Sequence, residues 1–208
     1  RPLPRLWAIS DLRALGQQAE PEFAEWVTAL AAAGVRGLQI REKHLDDLTL
    51  FQLAGRARAL FAAGRLVVNG RADLALASGA DGVHLPADGI PAAPLRQRFG
   101  PDFLIGCSTH SQEEVVAAHA AGADYAWFGP IYRTPAKEHY GPPQGLERLA
   151  EVARSTPLPV IAIGGIRPEH FLELATAGAA GAAGIALFRD PSRFKAAVAA
   201  AQEAFRCS

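Results

Sequence analysis

The sequence predicts a single (β/α)8 barrel, the TIM-barrel architecture, as one domain over residues 1–208. Three observations carry that reading. Eight short apolar segments alternate with eight helical ones, a repeat of about 26 residues, which β/α units allow. A helix after every strand demands right-handed crossovers, and eight such units close on themselves. The polar residues collect just after the apolar segments, where a closed parallel barrel has its mouth. The rival, an open doubly wound sheet, usually stops at about five or six strands.

Each element has its own signal. LWAIS (6–10) is a compact apolar strand ending at Asp11. Residues 21–33 read as a helix with Pro21 in its first turn. GLQIRE (37–42) follows as the second strand. Residues 46–63 form a long helical pattern, with Asp46 or Asp47 near the cap and Gly64 beyond the end. RLVVNG (65–70) is the third strand and 72–77 a short helix. GVHLP (82–86) is the fourth strand, then a loop and a helix over 92–99. FLIGCST (103–109) is the fifth, and Ser111 with Glu114 is a capping-box pattern for a helix to 121. YAWFGP (125–130) is the sixth. A Pro-rich loop over 131–143 follows, and loops of that length are often functional. Residues 146–155 are helical, PVIAIGGI (159–166) is the seventh strand, and Pro168 sits at a helix start. AAGIAL (182–187) is the eighth strand, and Asp190-Pro191 opens the last helix, to 205.

Composition excludes several function classes. Lys plus Arg and Asp plus Glu both number 21, so the net charge is zero. Nucleic acid or an anionic membrane surface would call for a basic excess. Cys107 and Cys207 lie far apart without metal-ligand spacing, so no disulfide framework is expected and a reducing cytoplasm is the default. No apolar run reaches about 18 residues, so no membrane span is expected. The opening RPLPRLWAISD shows no signal-peptide core. The sequence leaves a homo-oligomer open, with Trp26 and Phe171 as candidate dimer-face residues.

The chemistry is sought at the strand ends. Gln39, Arg41 and Lys43 share one parity, so a strand would turn all three to one side. Two cations buried there without partners would cost several kcal/mol, so that face should meet an anion or solvent. Gly164-Gly165 closes the seventh strand, and Gly184, Ile185 and Ala186 lie in a small-residue eighth. In barrels of this kind the common phosphate site lies after strands seven and eight, where small residues let backbone N–H groups approach. The alternative is that these glycines only permit tight turns. His110 shares a face with Ser108 and could carry a proton at the mouth. His84 reads as structural, and His44, His119, His139 and His170 as solvated. Mg²⁺ on a phosphorylated substrate usually needs one or two protein carboxylates. Asn69-Gly70-Arg71 offers none, and the following loop offers Asp88, so no dedicated metal site is expected.

QIREK (39–43), VVNGRADLAL (67–76), GVHLP (82–86), GCSTHSQEE (106–114), ADYAWFGPIYRTPAK (123–137) and PVIAIGGI (159–166) together resemble the thiamine phosphate synthase superfamily. The ordered match covers nearly the whole chain. It implies a β/α barrel in thiamine biosynthesis and a small phosphorylated thiazole substrate. Two branches are relevant. The synthase joins a pyrimidine pyrophosphate to thiazole phosphate with Mg²⁺. The TenI-type thiazole tautomerase aromatises a carboxythiazole phosphate without metal, using a His that falls on His110. The synthase pattern has Asn-Asp after the third strand, where this chain has Asn69-Gly70. Its second Mg²⁺ carboxylate aligns with Gly89, one residue past Asp88. Gln39, Lys43, Thr134 and Lys137 look like retained synthase contacts, with Arg41, Asn69 and Ser108 also facing the substrate. The expectation is therefore a metal-free tautomerase with His110 catalytic. The synthase, with Mg²⁺ and Asp88, is the alternative, and a phosphate-binding module without turnover is a third reading.

Overall fold

The computed structural model describes residues 2–14, 19–133 and 142–206. Its centre is a closed barrel of eight parallel strands in sequential order, β1 (Leu6–Ile9), β2 (Gly37–Ile40), β3 (Arg65–Asn69), β4 (Gly82–Leu85), β5 (Leu104–Thr109), β6 (Tyr125–Phe128), β7 (Val160–Ile163) and β8 (Gly181–Gly184). The ring closes where β8 pairs with β1, Leu6 opposite Ala182 and Ala8 opposite Gly184. Around it run α1 (Ala19–Ala33), α2 (Asp47–Leu60), α3 (Ala72–Ala77), α4 (Ala92–Phe99), α5 (Gln112–Ala120), α6 (Gly145–Arg154), α7 (Phe171–Thr176) and α8 (Phe194–Ala204). The expected fold is borne out.

Strand parity sorts the core into two shells. Leu38, Ile40, Leu66, Val68, Val83, Leu85 and Ile105 point outward and pack under the helices. Trp7, Ile9, Val67, Tyr125, Trp127, Ile161 and Ala183 fill the interior. Covered on both faces, the strands need apolar residues at both parities, hence their near-continuous hydrophobic runs. Glycine makes room for the interior rings. A Cβ on Gly37 would lie 2.4 Å from the Trp7 ring, and one on Gly106 2.1 Å from Tyr125 Cζ. Trp7 and Tyr125 stack with centroids 5.2 Å apart.

The amino-terminal ends of the strands carry ion pairs that brace the scaffold. Asp81, just before β4, accepts from Arg58 at 2.7 Å, from Arg65 at 3.1 Å and from the Leu66 N–H at 2.8 Å. Asp124, just before β6, accepts from Arg96 at 2.6 Å and from the Ile105 N–H at 2.7 Å. Each ties the start of one strand to its neighbour, at the face where barrels hold stability rather than chemistry.

Several details differ from expectation. All strands but β5 end one to three residues early, because chain that leaves the barrel must turn toward its helix. β2 stops at Ile40, so parity no longer governs Arg41 to Lys43. Residues 186–188 are a 3-10 turn, Ala186–Phe188, rather than strand. A further 3-10 turn, Leu12–Ala14, follows β1. Trp26 and Phe171 are core residues, not a dimer face. Both are buried, and the Trp26 indole donates to Phe188 O at 2.7 Å. No helix among the described residues is long and apolar enough to cross a membrane.

Candidate active site

The carboxyl ends of β2 to β6 carry a ring of polar side chains that turn into the barrel. Asn69 sits opposite His84, and Ser108 opposite Trp127. Gln39 Nε2 donates to Asn69 Oδ1 at 3.1 Å. His84 contacts Ser108 Oγ through Nε2 at 2.9 Å and Tyr125 OH through Nδ1 at 3.2 Å. Its ring packs on Trp127, centroid to centroid 3.9 Å. Gln39, His84 and Trp127 are buried, while Asn69 and Ser108 are half-buried at the edge of the cup. Burial pushes the His84 imidazolium down to about 3, helped by the nearby charge of Arg41. His84 is therefore neutral, and holds Ser108 and Tyr125 in place by hydrogen bonds rather than charge.

Arg41 lies at the rim, half-buried, and its charge adds to the lowering of the His84 imidazolium. Its backbone is fixed by Ser10, whose Oγ accepts the Arg41 N–H at 2.9 Å. Ser10 also hydrogen-bonds Glu42, a buried carboxylate that accepts the Leu12 N–H with both oxygens at 3.1 Å. Desolvation raises the Glu42 carboxyl above its usual range, against these hydrogen bonds. This brace locks the β1 loop to the β2 loop. Lys43 is exposed in the following turn, so the expected pair of buried cations is one half-buried arginine and one solvated lysine.

Beyond β7, Gly164 and Gly165 have φ of 99° and 69°. A Cβ on Gly164 would lie 2.6 Å from Pro130, and one on Gly165 2.7 Å from Tyr132 Cβ. Tyr132 N–H donates to Gly164 O at 3.0 Å. Both glycines are thus required by the close approach of the β6 loop, whatever else they bind. Gly184 ends β8, and Ile185 and Ala186 lead directly into the 3-10 turn. All five expected phosphate residues thus gather at the carboxyl ends of adjacent strands.

His110 is tied on two sides. Its N–H donates to Glu114 Oε2 at 2.6 Å, and Nδ1 donates to Gly129 O at 2.6 Å. Because a carbonyl only accepts, the neutral ring carries its hydrogen on Nδ1. Glu114 reaches His110, one residue before the Ser111 cap that accepts its own N–H at 3.2 Å. Asp88 is exposed on the turn after β4. Arg71 is held on the helix side by Asp73, at 2.7 Å, and by Asp47. Thr134 and Lys137 lie outside the described residues.

Residues 9–188 match the family described as thiamine monophosphate synthase. The chain belongs to that family. It is 45% identical over 179 residues to thiamine-phosphate synthase of Anaeromyxobacter dehalogenans, covering 85% of this chain and 80% of that one. It is 39% identical to the synthase of Koribacter versatilis, covering 91% of each. Thiamine phosphate pyrophosphorylase from Pyrococcus furiosus superposes with a TM-score of 0.82 at 28% identity, over 97% of this chain and 95% of that one.

Membership of this family corrects the expected activity. The relatives carry the synthase name, so the tautomerase assignment is overturned, and the isomerase role expected for His110 falls with it. The Mg²⁺ that the family resemblance implies can be set against the donors present. Among the described residues no group of three or more His, Cys, Asp or Glu is placed to hold a metal ion. Gly70 supplies no ligand side chain, and Asn69 Oδ1 is already engaged by Gln39. These residues do not fit a resident ion. His84, read as structural, does hold two cup residues in place, and Trp127 went unmarked within the sixth strand. The signal for both was their inward parity with Asn69 and Ser108, two positions already singled out.

Proposed function

We propose that the chain is a thiamine-phosphate synthase that joins a pyrimidine pyrophosphate to thiazole phosphate. The observation that carries this is 45% identity to a synthase across most of both chains, coupled to a polar cup where that reaction needs one. In the reaction the thiazole nitrogen forms a bond to the exocyclic methylene carbon of the pyrimidine. The C–O bond to pyrophosphate breaks, and its electron pair leaves with the pyrophosphate. The protein's part is to bind, orient and neutralise.

Gln39, Asn69 and Ser108 line the cup that takes the pyrimidine ring. Their side chains are fixed to one another and to His84, so little order is lost on binding. Arg41 and Lys43 face the leaving pyrophosphate, with Lys137 and Thr134 assigned there by the resemblance. A guanidinium at the rim stabilises charge that grows as the C–O bond breaks. Gly164, Gly165, Gly184, Ile185 and Ala186 present backbone to the thiazole phosphate, which suits the common barrel phosphate site. His110 braces the Gly129 corner between the two substrates. Mg²⁺ carried by the pyrophosphate substrate would supply charge neutralisation there, since Mg²⁺ on phosphates needs few protein ligands, and Asp88 would be the carboxylate on the adjoining turn. A reducing cytoplasm is the compartment this reading assigns, consistent with the free, half-buried Cys107.

Purified protein incubated with the pyrimidine pyrophosphate, thiazole phosphate and Mg²⁺ should release thiamine phosphate and pyrophosphate in equal amounts. Binding of both substrates without product would replace the synthase by a phosphate-binding module.

A further inference from the structure

Among the described residues two buried side-chain atoms have no hydrogen-bond partner, Gln39 Oε1 and Trp127 Nε1. Buried polar groups are nearly always paired, so each exception requires a reason. The tryptophans make the contrast within one molecule. Trp7 Nε1 donates to Pro4 O at 2.8 Å, and Trp26 Nε1 to Phe188 O at 2.7 Å. Both are satisfied by backbone. Trp127 is not, and it is the one set into the cup wall, opposite Ser108 and one residue before β6 ends.

Its ring has little freedom. It packs against His84 at 3.9 Å, Trp7 at 6.0 Å and Tyr125 at 6.2 Å between centroids. The Gln39 amide is also held, since its nitrogen is committed to Asn69. The cup wall thus holds a donor and an acceptor, both closed to solvent in the unliganded protein and both unused, so a ring that reaches them must displace their neighbours as it seats. A ligand that supplied an acceptor to one and a donor to the other would relieve both, whereas a purely apolar ring would relieve neither.

We propose that Trp127 is a specificity-determining residue, whose indole N–H donates to a ring nitrogen of an amino-substituted heteroaromatic substrate. An aminopyrimidine has this pattern, with acceptor nitrogens in the ring and a donor amino group outside it. This deepens the synthase reading and rests on it for the identity of the ring.

The test combines Trp127→Phe, which keeps an aromatic ring in the stack, with a change on the ligand. Calorimetry measures binding of the aminopyrimidine pyrophosphate, and of analogues in which each ring nitrogen in turn is replaced by C–H. Wild type should bind one analogue about tenfold more weakly, the size of one hydrogen bond. Trp127→Phe should bind parent and that analogue equally. Its affinity for thiazole phosphate should match wild type. The proposal is overturned if wild type does not discriminate among the rings, or if Trp127→Phe discriminates as wild type does. It is also overturned if the variant binds the parent aminopyrimidine as tightly as wild type. The wild-type arm needs no variant to fold. Binding is read without turnover, so failure to form product would sink the synthase reading while leaving this result standing.

Discussion

His84 makes the stability of the protein depend on pH in a way that can be worked through. In the fold its imidazolium is pushed down to about 3, against 6.5 for the free side chain. The unfolded chain therefore binds a proton that the fold does not. Stability contributed by this group is fully present above pH 6.5 and falls as pH drops toward 3. Between pH 7 and pH 5 the loss is about 2 kcal/mol. That figure depends on the unfolded value and hardly on the folded one, provided the folded value lies well below 5. Glu42 acts in the opposite sense. Its raised carboxyl takes up a proton in the fold first, so acidification relieves part of its burial cost. A second chain isolates the His84 contribution. His84→Gln keeps polar atoms for Ser108 and Tyr125 but does not titrate. Urea denaturation of both proteins at pH 7 and pH 5 gives four stabilities by linear extrapolation. Wild type should lose about 2 kcal/mol more than the variant over that interval. Equal losses would refute the reasoning, because His84 would then be protonated in the fold or exposed to water.

Further outcomes follow from the rim. Gly165→Ala places a Cβ 2.7 Å from Tyr132 Cβ at a φ of 69°. It should destabilise by about 1–3 kcal/mol in urea denaturation and raise KM for thiazole phosphate more than for the pyrimidine. Lys43→Ala removes an exposed side chain and should change stability by less than about 0.5 kcal/mol. In steady-state kinetics it should raise KM for the pyrimidine pyrophosphate, with a deficit that shrinks at high salt. EDTA should abolish turnover and added Mg²⁺ restore it. Mg²⁺ titrated calorimetrically into protein alone should show no site, and a site should appear once pyrophosphate is present.

How far the sequence could be read follows from the physics of each feature. The barrel was legible because periodicity is local: each apolar segment declares itself, and eight in alternation with helices leave little choice of closure. The clustering of Gly164, Gly165 and Gly184 was legible because they fall at the ends of strands already placed. The fate of Lys43 was not, since parity holds only while the chain is a strand, and β2 ends at Ile40. Glu42 was missed for the same reason. Its burial depends on Ser10 and Leu12, some thirty positions away, and no local pattern connects them. Trp127 was hidden by its neighbours, because a single polar atom inside an apolar strand looks the same whether it is satisfied or waiting for a ligand.

The correction of the activity has the same origin. A glycine after Asn69 removes a carboxylate, which reads as loss of a metal-dependent reaction if the protein must hold the ion by itself. Mg²⁺ makes no such demand. It keeps waters, takes phosphate oxygens from its substrate and asks one or two carboxylates of the protein. The count of acids near the mouth therefore separates a resident ion from a delivered one, and does not separate a synthase from a tautomerase. Inside the cup, His84 is neutral and occupied at both nitrogens, so it orients Ser108 and Tyr125 rather than carrying a proton. Two further atoms, Gln39 Oε1 and Trp127 Nε1, are buried and unpaired among the described residues, on side chains held by their neighbours. Such a surface recognises the edge of a ring. That is the demand of a reaction that must choose one heterocycle and hold it still while a second heterocycle displaces its leaving group.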